Sequence, residues 1–182
     1  MLPDQNPLHD SFAGEHGTGC VSKLILIRGP SGSGKSTVAK ALMELVTRPT
    51  ALIDRDYYMF MFRAGDDVNV PDKELIESNI LMCLNSGFDV IFEGNFKMTT
   101  HKQLLERIFE AHPNENYVFY LQASLAETLR RHQTRSVKII SEQEMSELYP
   151  YATPAHHPGE TIVPERSSLE ETVSLIRRTA EI

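Results

Sequence analysis

The stretch Gly29, Pro30, Ser31, Gly32, Ser33, Gly34, Lys35, Ser36 satisfies the pattern G-x-x-x-x-G-K-[ST] without a mismatch, and Thr37 follows it. Few local features constrain a fold so tightly. Glycines at 29, 32 and 34 allow backbone conformations closed to other residues, so successive N–H groups turn into one concavity. The flanks are those the pattern needs. Leu24 to Ile27 is an apolar run that predicts a buried strand. Residues 35–47 predict a helix, with Val38, Ala41, Leu42 and Leu45 on one face. A concavity at a helix N-terminus binds polyphosphate. Residues 29–37 are therefore expected to hold nucleotide phosphates, with Lys35 reaching the β and γ phosphates and the Ser36 hydroxyl on Mg²⁺.

Beyond the loop, apolar runs alternate with helix-like segments. Strands are expected at 23–28, 50–53, 88–92, 117–121 and 160–164, and helices at 35–47, 57–63, 73–86, 100–111, from 124, from 141 and from 168. Four S/T-x-x-E/Q pairs, Thr100/Gln103, Ser124/Glu127, Ser141/Glu144 and Ser168/Glu171, have the spacing of capping boxes. Leu75, Ile76, Ile80 and Leu84 mark one inward face, and Leu169, Val173 and Ile176 another. Alternating strands and helices predict an α/β fold: three layers, a five-stranded parallel sheet with helices on both faces, and a short helical lid after strand four. Residues 1–22 hold few sizeable apolar groups and read as a flexible leader. Residues 23–182 then form one domain.

Charge and composition narrow the function. A net charge of −7 disfavours a nucleic-acid partner, which a protein binds by neutralising phosphates. No apolar run reaches the ~18 residues of a membrane span. Cys20 and Cys83 form no disulfide framework, and Cys83, among Ile80, Leu81 and Leu84, reads as a buried thiol, so a reducing cytoplasm is expected.

Strands in parallel α/β sheets deliver their ends to the edge that carries the ligand. Asp54 and Asp56 leave strand two at the edge where residues 29–37 sit, and Glu93 closes strand three there. Asp56 is the expected base for an acceptor hydroxyl, with Asp54 as the alternative or as a holder of an Mg²⁺-bound water. Glu93 is expected to hold an Mg²⁺ water in the manner of a Walker B acid. Arg131 and Arg135, four residues apart, share a helix face and are expected to close over a triphosphate, while Arg130 points roughly 100° away, towards solvent or Glu127. Asn95, Lys97, Tyr57, Tyr58 and Arg63 are candidates for the acceptor pocket. Met59 to Phe62 reads as core or pocket wall.

Five segments together resemble the zeta-toxin-like group of P-loop kinases: Gly29 to Thr37, Ile53-Asp-Arg-Asp-Tyr-Tyr58, Val90-Ile-Phe-Glu-Gly94, Glu127 to Arg135, and the tail Ile162-Val-Pro-Glu165 with Ser168 to Val173. The resemblance spans about residues 23–178. It implies a kinase that uses ATP and Mg²⁺ and phosphorylates a hydroxyl of a small molecule, such as a nucleoside, sugar, sugar nucleotide or antibiotic. Asp56 falls at the position of that group's acidic residue. A non-catalytic ATP-binding switch is the alternative, and it would need neither Asp56 nor the arginine pair.

Overall fold

A computed structural model describes residues 21–63, 68–134, 140–154, 157 and 159–182. Five strands, β1 (Leu24–Arg28), β2 (Thr50–Asp54), β3 (Asp89–Gly94), β4 (Asn116–Leu121) and β5 (Glu160–Val163), form one parallel sheet in the order β2-β3-β1-β4-β5. Seven helices accompany them among the described residues: α1 (Lys35–Met43), α2 (Arg55–Met61), α3 (Asp72–Asn85), α4 (Met98–Ala111), α5 (Leu125–Gln133), α6 (Glu142–Leu148) and α7 (Leu169–Ala180). None of them is long and apolar enough to cross a membrane.

The two-residue period of β1 sorts the core into layers. Leu24 and Leu26 face a cluster with Tyr58, Ile76, Ile80, Leu104 and Ile108, which packs α2, α3 and α4 on one face. Ile25 and Ile27 face Val38, Leu42, Val173 and Ile176, which packs α1 and α7 on the other. The expected three-layer architecture is present. Between β4 and β5, α5 and α6 sit directly on the glycine-rich loop. A Cβ built at Gly32 would lie 3.0 Å from Thr128 O and 3.3 Å from Met145 Cε.

Two buried groups tie the sheet to its surroundings. Arg28 is 1% exposed; its Nη1 donates to Glu160 Oε1 at 2.8 Å and Nη2 to Phe96 O at 3.3 Å. Lys23 Nζ donates to Ala180 O at 2.6 Å and caps the C-terminus of α7.

Local details depart from the sequence reading. Helix α1 ends at Met43, four residues short of the expected end, and Leu45 is exposed because the chain turns after Leu42, whose carbonyl accepts from Leu45 and Val46 N–H. Leu75 and Leu169 are likewise exposed, leaving Ile76, Ile80 and Leu84, and Val173 and Ile176, as the inward rows. The boxes at Ser141 and Ser168 form completely. Thr100 caps nothing, because α4 already begins at Met98 and the Thr100 hydroxyl turns to Lys97 O. Cys83 is half-buried at the edge of the core. Ser22 is buried, its hydroxyl donating to Leu84 O at 2.9 Å, so order reaches back into the stretch read as a leader; residues 1–20, with Cys20, lie outside the described residues.

Candidate active site

The loop between β1 and α1 is shaped by what its glycines avoid. Gly29 has φ 147°, and a Cβ there would stand 2.6 Å from Leu121 O and 2.8 Å from Ser33 Oγ. No side chain fits. Gly34, at φ 101°, forms the N-cap of α1 without any side-chain cap, which leaves the first N–H groups of the helix for a ligand. Pro30 O accepts from Ser33 N–H at 3.1 Å and from Lys35 Nζ at 3.0 Å, so the buried Lys35 side chain folds back over Pro30 and Ser31. Ser36 and Thr37 are exposed on the first turn of α1.

The acids expected at this edge are brought to it. Pairing places Glu93 opposite Ile27 on one side and Asp54 on the other, at the carboxyl ends of the strands. Glu93 is 3% exposed and its carboxyl is pushed above the usual range by burial; a hydrogen bond with the Ser36 side chain and the Lys35 charge pull the other way, while Asp54 and Asp56 add to the rise. Lys35, Ser36, Asp54 and Asp56 thus all bear on the Glu93 carboxyl. Among the described residues no three His, Cys, Asp or Glu side chains are grouped to hold a metal. Mg²⁺ asks for less: it keeps several waters and binds through one or two carboxylates plus substrate phosphates. The all-oxygen pair of the Ser36 hydroxyl and Glu93 fits that habit.

Asp54 and Asp56 separate in role. Asp54 is the N-cap of α2, its Oδ1 accepting from Asp56 N–H at 2.8 Å. The helix consequently begins at Arg55, and Asp56 lies in its first turn rather than in a strand-end loop. The Asp56 carboxylate is half-exposed and pairs with Arg55 Nη1 at 3.0 Å. Of the aromatic residues that follow, Tyr58 is buried and accepts from Asn79 Nδ2 at 2.6 Å, whereas Tyr57, Met59, Phe60 and Met61 are exposed, so the segment is pocket wall and surface rather than core.

Helix α5 is started by Ser124, whose Oγ accepts from Glu127 N–H at 3.2 Å. The return half of the box is missing because Glu127 turns to Arg130 and Arg131 and is pulled down to about 2 by them; Glu165 instead accepts from Ser124 N–H. Arg131 Nη1 donates to Ser33 O at 3.0 Å, which brings one of the two arginines expected over a triphosphate onto the glycine-rich loop. Arg130 is exposed and paired with Glu127. Arg135 lies outside the described residues.

Two clefts flank the loop. One, of roughly 270 Å³, runs between Thr37, Gln122 and Arg131 and the Pro164–Leu169 segment that follows β5. The other, of roughly 210 Å³, lies between Lys35, α2, Asn95 and the last turn of α5. Asp56 and Lys35 both line this second cleft. Lys97 does too, its Nζ 5.2 Å from the centre of the Tyr151 ring. Arg55 and His132 line it as well; the sequence carried them only inside the Ile53–Tyr58 and Glu127–Arg135 segments and gave neither a role of its own, since Arg55 stands between two acids and His132 beside two arginines.

Comparison with known proteins agrees with this fold. The family model described as AAA domain matches residues 24–148, more than half of the chain. No curated protein gives a significant match. Among solved structures, a sugar kinase from Janibacter sp. superposes with TM-score 0.68 at 15% identity, over 88% of this chain and 95% of its own. A gluconokinase from Sinorhizobium meliloti gives 0.63 at 20% identity, over 88% and 95%. The Deinococcus radiodurans tunicamycin resistance protein gives 0.66 at 14% identity, over 88% and 96%. At such identities the likeness is one of fold.

Proposed function

The chain belongs to the AAA domain family, and from that premise we propose that it is a kinase: it transfers the γ-phosphoryl group of ATP to a hydroxyl of a small molecule. One observation carries the reading. The loop lysine Lys35 and the carboxylate of Asp56 line a single cleft on one side of the phosphate loop, while a second cleft with Arg131 opens on the other. A nucleotide binder without chemistry needs only one of the two. The resemblance to zeta-toxin-like kinases and the named activities of the sugar kinase and the gluconokinase support a small-molecule acceptor. The net charge of −7 speaks against a polynucleotide one.

In this reading the ATP base lies in the cleft beside Thr37 and Gln122, and residues 29–37 wrap the phosphates. The acceptor enters from the Asp56 side. Its hydroxyl oxygen forms a bond to Pγ as the bond from Pγ to the β,γ-bridging oxygen breaks, and the hydroxyl proton passes to the Asp56 carboxylate. Lys35, Arg131 and Arg135 offset charge on the phosphoryl oxygens. The Ser36 hydroxyl, with Glu93 acting through water, would hold Mg²⁺, which when bound neutralises phosphate charge. Asp54 sets the start of α2 and so the position of Asp56. A cytoplasmic setting, where ATP is abundant, accompanies this reading.

The test is ADP release with Mg²⁺ and ATP across sugars, nucleosides, sugar nucleotides and antibiotics, for the wild type and Asp56→Asn. A fall of at least ~100-fold in acceptor-stimulated turnover with ATP still bound is the expected result. ATP binding without turnover on any acceptor would favour a switch, and loss of ATP binding in the variant would remove Asp56 from the role of base.

A further inference from the structure

We propose that the cleft beside Asp56 is a polyol subsite: it takes a small polyhydroxylated acceptor whose non-reacting hydroxyls are read by Arg55, Asn95 and His132. The inference rests on the kinase reading and narrows it.

Buried polar atoms are nearly always hydrogen-bonded, so those that are not ask for an explanation. Among the described residues, Arg55 Nε, Asn95 Oδ1 and both ring nitrogens of His132 are buried without a partner, and all three residues line this one cleft. They come from three separate places in the fold: the first residue of α2, the turn after β3 and the last turn of α5. His132 is 1% exposed, four residues beyond the Thr128 that packs on Gly32, and so one helical turn further along the loop towards Ser31 and Lys35. No local turn or cap accounts for the coincidence. A ligand does.

The kinds of atom define that ligand. Arg Nε only donates, an amide oxygen only accepts, and a neutral imidazole offers one of each. A hydroxyl both donates and accepts, so several hydroxyls on one small frame satisfy a mixed set. A second phosphate or a carboxylate accepts only, and would leave Asn95 Oδ1 and one nitrogen of His132 unpaired. A simple alcohol would leave nearly all of them unpaired. Met59 and Phe60, both exposed on α2, supply an apolar wall against which the C–H face of a polyol can lie. The volume of roughly 210 Å³ lies below the ~300–1,000 Å³ of drug-sized sites, which points to a single ring or a short open chain rather than a sugar nucleotide or a multi-ring antibiotic.

The experiment measures ADP release from Mg²⁺ and ATP by the wild type with monosaccharides, sugar acids, cyclitols and ribonucleosides. Hexanol, benzyl alcohol and a 5′-hydroxyl oligonucleotide serve as contrasts. Stimulation by a polyhydroxylated compound alone is expected, with kcat/KM falling at least about 100-fold for analogues lacking a read hydroxyl. With the responding compound, His132→Phe should raise KM at least about 10-fold while the affinity for Mg²⁺ and ADP stays within about twofold, and His132→Gln, which keeps a donor and an acceptor, should recover most of the loss. Stimulation by a mono-alcohol or the oligonucleotide with silence from every polyol, or an unchanged KM in His132→Phe, would overturn the proposal and leave the kinase reading standing; silence from every acceptor while ATP binds would overturn both in favour of a switch. Failure of the wild type to bind ATP at all would sink the kinase reading, and this inference with it.

Discussion

Acidification should loosen this fold through one histidine. His101 lies in the first turn of α4, 4% exposed, with its ring edge-on to Phe96 at 5.7 Å and Nδ1 3.1 Å from Lys97 O. Its pKa is lowered from 6.5 to about 4, first by burial and then by the positive charges of Arg55 and Lys73, against the opposing pull of Lys97 O and Asp72. The unfolded chain therefore takes up the proton more readily than the folded one, and between those values stability rises with pH. Above about 6.5 the effect is absent. As pH falls towards 4 it grows to the full separation, which at ~1.4 kcal/mol per pH unit comes to roughly 3 kcal/mol. Against a total stability of about 5–15 kcal/mol that is a substantial share. Urea unfolding at several pH values from 7 to 4, for the wild type and His101→Gln, reads it directly. The wild type should lose roughly 3 kcal/mol more than the variant over that range; histidines common to both chains cancel in the difference. Parallel stability curves would refute the argument, because the imidazole would then titrate alike in both states.

Two further substitutions probe the frame of the site. Gly29→Ala forces a Cβ to 2.6 Å from Leu121 O at a φ of 147°, so it should cost about 2–4 kcal/mol in chemical denaturation and remove measurable binding of Mg²⁺ and ADP by calorimetry. Arg28→Met removes the guanidinium that pairs with the buried Glu160 carboxylate at 2.8 Å and should cost about 3–5 kcal/mol by the same denaturation; Arg28→Met with Glu160→Leu should regain most of it. A double variant as unstable as the single one would show that the two side chains matter for packing rather than as a pair.

The layers of this fold were legible because they follow from local pattern. Apolar runs at 24–27, 90–92 and 118–121 can only be buried strands when helices alternate with them, and the capping boxes at Ser141 and Ser168 mark true helix starts. Two of the departures share one cause: a helix start is decided by competition between neighbouring caps. Thr100 has the right spacing for a box, but Lys97 already stands at the cap position and α4 starts two residues earlier. Asp54, expected as the alternative base or the holder of an Mg²⁺-bound water, is also the cap that starts α2 at Arg55. That single hydrogen bond moves Asp56 onto a helix and aims the α2 wall at the cleft.

The two halves of the site differ in legibility for a physical reason. Phosphate is gripped by backbone N–H groups, so the glycines that shape the loop must be contiguous in the chain, and a contiguous pattern can be read. An acceptor is gripped by side chains, which the fold can gather from anywhere. Arg55, Asn95 and His132 are separated by 40 residues and then 37 in the sequence, and each alone is an ordinary surface or core residue. What distinguishes them is a deficit in hydrogen bonding shared by three side chains around one space, and that deficit exists only once β3, α2 and α5 have met. Glu93 falls between the two cases: its place at the end of an apolar strand was readable, but its hydrogen bond with Ser36 and its raised pKa arise only from burial beside the loop. On the proposed reading, substitutions at these three positions would change the acceptor while the phosphate loop stayed as it is, so the loop points to the chemistry and the cleft to the substrate.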